Sequence, residues 1–121
     1  MSHFVNYAIA FNNKNHIKKA LTEMGYEVVE DTAINGWRGM QMSVAIAGIK
    51  DQKNEIGFQM NDKTDTYDAV ADWMYVPDAD KVRDRLAQLN AKYNVEDALK
   101  KARFSAKVTE ENGEFVIIGT R

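Results

Sequence analysis

The sequence predicts an α+β domain, with a mainly antiparallel sheet of about six strands and helices packed on one face. Three observations carry this reading. Apolar residues alternate in several short segments, recur at helical spacing in others, and Asn-Gly pairs punctuate the chain. Tight turns join antiparallel neighbours, and a sheet with one covered face shows such alternation. The expected order is βαββ followed by βααββ, with the two halves sharing a topology rather than a sequence repeat.

The first strand is read from Val5, Tyr7, Ile9 and Phe11, which alternate. The period then changes. Ile17, Ala20, Leu21 and Met24 fall on one helical stripe, with Asn13 or Asn15 as the cap and Gly25 as the stop. A second strand covers Tyr26 to Asp31, and Asn35-Gly36 offers a tight turn. Met40, Met42, Val44 and Ile46 alternate as the third strand, and the polar stretch from Lys50 to Asn54 makes the next turn. Ile56, Phe58 and Met60 form the fourth, where Gly57 marks a bulge or a close backbone approach.

The run from Asn61 to Asp78 has no clear period. Val70, Trp73 and Met74 have helical spacing, which suggests a short helical turn before Pro77. Asp78 is positioned to cap a helix carrying Val82, Leu86, Leu89 and Tyr93. Asn94 and Asp97 have the relation of a capping box, so a second helix is expected from Val95, Ala98, Leu99 and Ala102. Phe104, Ala106 and Val108 alternate, Asn112-Gly113 turns the chain, and Phe115 to Ile118 forms the last strand.

A chain of 121 residues suits one domain spanning 1–121. The absence of cysteine excludes disulfides, thiolate metal sites and cysteine nucleophiles. A net charge of -2 gives no overall case for nucleic acid or membrane surfaces. No apolar run approaches a membrane span, and the N-terminus lacks the order of a signal peptide, so the cytoplasm is the expected location.

Aspartates crowd one segment: Asp62, Asp65, Asp68, Asp72, Asp78 and Asp80, against Lys63. Hard cations take oxygen ligands, but the spacing lacks the glycine and terminal Glu of a calcium loop. Solvation and helix capping account for these carboxylates, and no metal site is expected. His3 and His16 receive no catalytic role: the Ser2–His3 adjacency does not build a nucleophile–base pair, and His16 is read as exposed in a first helical turn. No glycine spacing for phosphate or dinucleotide binding occurs, and no cofactor is expected. Lys81, Arg83, Arg85, Lys92, Lys100, Lys101, Arg103 and Lys107 make a basic stretch, opposed by Asp84, Glu96 and Asp97. Without stacking aromatics among them, this reads as a solvated helix face rather than an RNA surface.

Two aromatic–charged motifs remain. Gly36-Trp37-Arg38-Gly39 sets an indole and a guanidinium between permissive residues, and Trp and Arg are enriched at binding hot spots. The structural alternative has Trp37 covering a sheet edge and Arg38 paired with an acid. In Ala71-Asp72-Trp73 the Trp is read as core, while Asp72 either accepts its N–H or pairs with Arg38. The candidate binding residues are therefore Trp37, Arg38, Asp72, Trp73 and Tyr75, with none catalytic.

Met1-Ser2-His3-Phe4, Leu21 to Tyr26, Gly36-Trp37-Arg38-Gly39, Glu55-Ile56-Gly57-Phe58 and Tyr67 through Trp73 occur in an order that resembles a cyanobacterial and chloroplast family. It is the family of hypothetical chloroplast reading frame thirty-five, and Gln88 to Tyr93 and Val95 to Phe104 extend the likeness. The polar stretch from Lys50 to Asn54 and the aspartates from Asp62 to Asp68 depart from it. The resemblance implies a small soluble protein of a cyanobacterium, a plastid or a phage, and carries over no activity. Three classes of function follow: first a non-enzymatic binding or adaptor protein using the Trp37–Arg38 turn. The second is a small-ligand domain with a pocket near Arg38, Asp72 and Trp73. An enzyme comes last, since no nucleophile–base pair or metal set is visible.

Overall fold

The computed structural model describes residues 4–51, 54–103 and 105–120. Ser2, His3, the turn residues 52–53 and Phe104 lie outside these described residues. Strand β1 (Val5–Phe11) leads to helix α1 (Lys14–Glu23), then β2 (Glu27–Asn35), β3 (Gln41–Asp51), β4 (Asn54–Asn61) and β5 (Thr66–Ala71). Helix α2 (Ala79–Lys101) and the strands β6 (Ser105–Glu111) and β7 (Glu114–Thr120) follow. Short 3₁₀ turns occupy Trp37–Gly39 and Trp73–Tyr75.

Local chemistry explains α1. Asn13 is extended and its side chain accepts the Asn15 N–H at 2.9 Å. At the other end Gly25 takes φ +85°, so that Gly25 N–H reaches the Thr22 carbonyl and Tyr26 N–H the Leu21 carbonyl. This paired closure needs a left-handed residue, which glycine adopts at least cost.

Five strands form one antiparallel sheet in the order β1-β5-β4-β3-β2. The expected single sheet of six is therefore corrected to five strands plus a separate β6–β7 hairpin. The difference begins at Thr66–Ala71, where no period was legible and a strand is found, while the helical turn expected before Pro77 is the 3₁₀ turn at Trp73–Tyr75. It lies between β1 and β4 and is buried on both faces: Tyr67, Ala69 and Ala71 join the helix-side core, while Val70 joins a smaller cluster. A strand covered on both sides loses its polar alternation, so its period cannot be read.

On the helix side, Ile17, Ala20 and Leu21 of α1 and Leu86, Leu89 and Tyr93 of α2 pack with Phe11, Ile46, Ile56 and Phe58. On the other side Ile34, Val44, Ala47 and Val70 gather with Phe4, Met42 and Ile49. The clean alternation expected from Met40 to Ile46 breaks here. Val44 and Ala47 share the small cluster, while Ala45 and Ile46 turn to the main core. Opposite the break, Asp31 is left-handed (φ +48°), and the Ala45 N–H is taken by the Gln59 side chain at 3.0 Å. Gly57 answers the expectation of a close approach: a Cβ there would meet Val44 Cγ1 at 2.5 Å.

The expected helix pair is one continuous helix. Asn94 lies mid-helix and Asp97 bonds His16, so neither forms a capping box. The two apolar stripes are two faces of one cylinder. Leu86 and Leu89 face the sheet, whereas Val95, half a turn round from Leu86 at 3.6 residues per turn, lines a groove with Phe115 and Ile117 of the hairpin. Asp78 does hold the cap position, but in left-handed backbone and without a side-chain cap bond. At the hairpin tip Asn112 (φ +52°) and Gly113 (φ +79°) close Glu111 against Glu114, as the Asn-Gly pair predicts.

Candidate functional site

The β2–β3 connection presents the Trp37–Arg38 motif. Asn35 and Gln41 pair at the ends of the strands, leaving Gly36 to Met40 as the loop. The tight turn expected at Asn35-Gly36 is thus displaced: Gly36 has φ -137°, and positive φ falls on Arg38 (+52°) and Gly39 (+74°). Gly36 N–H donates to the Met40 carbonyl at 2.8 Å and Met40 N–H to the Trp37 carbonyl at 3.1 Å, closing the loop on itself. Gly36 is closely packed: a Cβ would lie 3.0 Å from the Phe4 ring and 3.3 Å from Asp72 Cβ.

Asp72 holds the loop from below. The residue is 2 % exposed, and its Oδ2 accepts the Trp37 backbone N–H at 3.0 Å. Oδ1 is buried without a hydrogen-bond partner. Neither expected partner of Asp72 is used: Arg38 instead stacks on the Trp37 indole with its guanidinium carbon 4.4 Å from the ring centroid. Trp37 is half-buried, and Arg38, Gly39 and Met40 are exposed. Beside them Asn35 donates to the buried Glu55 carboxylate at 3.2 Å and accepts from Gln41 at 3.0 Å. These bonds tie the base of the loop to the sheet.

Trp73 turns elsewhere. It is half-buried against the main core, and its indole N–H donates to the Val5 carbonyl at 2.8 Å. Its ring meets Tyr7 edge-on at 5.4 Å, and Arg83 of α2 lies 4.2 Å from the Tyr7 ring centroid and 5.1 Å from that of Trp73. The structure therefore brings Trp37, Arg38 and Asp72 together and directs Trp73 to β1 and α2. Tyr75 is half-buried in the same 3₁₀ turn as Trp73. Tyr7 and Arg83 were not singled out from sequence, and no local spacing marks them, because they meet only when α2 packs on β1.

Other charged groups are also engaged. Among the acids, Asp62, Asp65, Asp78 and Asp80 are exposed, while Asp68 and Asp72 are buried. Among the described residues, no three His, Asp or Glu side chains group closely enough to hold a metal ion. The basic stretch does not form one solvated face. Arg83 pairs with Asp80, Arg85 reaches Glu110 at 3.1 Å, and Lys92 lies 3.8 Å from Glu23. His16, expected to be exposed, is 5 % exposed and bonded to Asp97.

Residues 20–114 match the family model described as a protein of unknown function, DUF1257. The chain belongs to the DUF1257 family. The matched region runs from α1 to the start of β7 and includes the Trp37–Arg38 loop, Asp72, Trp73 and Tyr75. No curated protein and no solved structure matches the chain. No helix among the described residues is long and apolar enough to cross a membrane.

Proposed function

We propose that this DUF1257 protein is a small non-enzymatic binding or adaptor module, one domain over residues 1–121, that contacts a partner through the Trp37–Arg38 loop. One observation carries the reading: an exposed arginine in left-handed backbone, stacked on a half-buried indole above a loop tied down by a buried carboxylate. A stacked guanidinium has fewer conformations to lose on binding, and Trp with Arg supplies the apolar face and donor fork typical of hot spots. Within the family, we place the chain with the reading-frame-thirty-five proteins of cyanobacteria and plastids.

Affinity capture from a cyanobacterial extract tests this reading. Trp37→Ala combined with Arg38→Ala should lose the captured partner while thermal unfolding stays near that of the parent. A large stability loss makes Trp37 a core residue, and retained capture by a stable variant removes the loop from consideration. A second reading, a small-ligand site beside the loop, draws on Asp72 Oδ1, a buried acceptor without a partner. Under that reading a small cationic or hydrogen-donating molecule co-purifies with the protein and is lost in Asp72→Asn.

A further inference from the structure

We infer that β7 is an assembly edge, at which a second copy of this chain adds its own β7 antiparallel to form a four-stranded sheet. The inference comes from comparing the strand edges. An unpaired edge presents alternate N–H and C=O groups, and charges, bulges or covering side chains normally guard it. Edge β1 is covered: Asn90 donates to the Ile9 and Ala10 carbonyls at 3.3 and 3.2 Å, and Trp73 caps the Val5 carbonyl. Edge β2 carries Glu27, Glu30 and Asp31, the last in left-handed backbone. Strand β6 carries Lys107, Glu110 and Glu111.

Among the described residues, strand β7 carries no charge beyond its first residue and no bulge. After Glu114 it reads Phe115-Val116-Ile117-Ile118-Gly119-Thr120, with no charge and no proline. Among the described residues it pairs only with β6. Phe115 and Ile117 line the α2 groove, while Val116 and Ile118 point outward at 40 % and 51 % exposure.

Self-complementarity selects a second copy as the occupant. A twofold axis through Ile117 sets Val116 against Ile118 of the copy and Glu114 against Thr120 of the copy. Two apolar pairs thus meet on the outer face, and no like charges are opposed. The strand is short, so the dimer is expected to be concentration-dependent rather than obligate.

Sedimentation velocity over micromolar concentrations tests the inference with two charge variants. Val116→Lys with Ile118→Lys opposes lysines across the axis and should give a monomer. Val116→Lys with Ile118→Glu opposes Lys to Glu and should restore the dimer. A parent chain that stays monomeric, or a dimer that ignores the lysine pair, overturns the inference. Should the lysine variant not fold, amide exchange of the parent decides: β7 amides must gain protection as concentration rises, and concentration-independent exchange there overturns it.

Discussion

His16 Nε2 donates to Asp97 Oδ2 at 2.6 Å, joining α1 to α2 across 81 positions of sequence. An ionised carboxylate only accepts, so Nε2 is the donor, while the buried Nδ1 has no hydrogen-bond partner. The imidazole also packs 5.5 Å from the Tyr93 ring. The hydrogen bond from His16 lowers the Asp97 carboxyl below its ordinary value of 3.8, and Lys100 and Lys19 add to the effect.

A depressed folded value means that this contribution to stability is present above about pH 4 and is lost as pH falls through the folded value. Asp97→Asn should therefore melt below the parent at neutral pH, with the difference shrinking as the solution is acidified below pH 4. Melting temperature against pH is the measurement. A constant difference across the acid range would mean that Asp97 acts through packing rather than charge.

Trp73 joins the 3₁₀ turn to β1 through the Val5 carbonyl and the Tyr7 ring. Trp73→Ala should cost about 3 kcal/mol, the lower end for aromatic truncation because the ring is half-buried. Trp73→Phe keeps a ring beside Tyr7 but leaves the carbonyl without its donor, at about 1 kcal/mol. Urea midpoints ordered parent, Phe, Ala are expected; an unchanged Ala variant would show that the turn is held by other contacts.

Gly57 and Val44 form a size-matched pair, since a Cβ on Gly57 would meet Val44 Cβ at 3.0 Å as well as Cγ1. Gly57→Ala should cost about 1–3 kcal/mol through overpacking. Adding Val44→Ala should recover part of that loss, giving a favourable coupling of at least about 0.5 kcal/mol. Strictly additive losses in a double-mutant cycle would place the Gly57 requirement in the backbone instead.

Gly113 separates conformation from packing. A Cβ there would meet nothing within 4 Å, yet φ is +79°. Gly113→Val should cost about 1–3 kcal/mol from backbone strain alone, and Gly113→Asn much less, because Asn tolerates the left-handed region. Equal melting of the Val variant and the parent would exclude a positive φ at this turn.

Elements with one wet face were legible in the sequence. Val5 to Phe11 alternates, Ile17, Ala20 and Leu21 fall on one stripe, and both give the expected strand and helix. Asn112-Gly113 forms its predicted turn, but Asn35-Gly36 does not, since strand pairing ends at Asn35–Gln41 and the positive φ falls further along the loop, on Arg38 and Gly39. The pairing of an indole with a guanidinium at Trp37–Arg38 was visible as adjacency; Asp72 was singled out as a partner of this region, but not as the acceptor of the Trp37 backbone N–H.

Sequence by itself determined the α+β class, the first strand and helix, the last hairpin turn and the Trp37–Arg38 motif, because each is a local period or a neighbouring pair. Only tertiary structure decided that Thr66–Ala71 is an inner strand, that α2 is one helix serving two neighbours, and that Asp72 accepts from Trp37, 35 positions away. A strand covered on both faces, or a helix with two partners, erases the polar side that makes a period readable. The acceptor for a backbone N–H depends on which strand ends meet, and no spacing along the chain records that meeting.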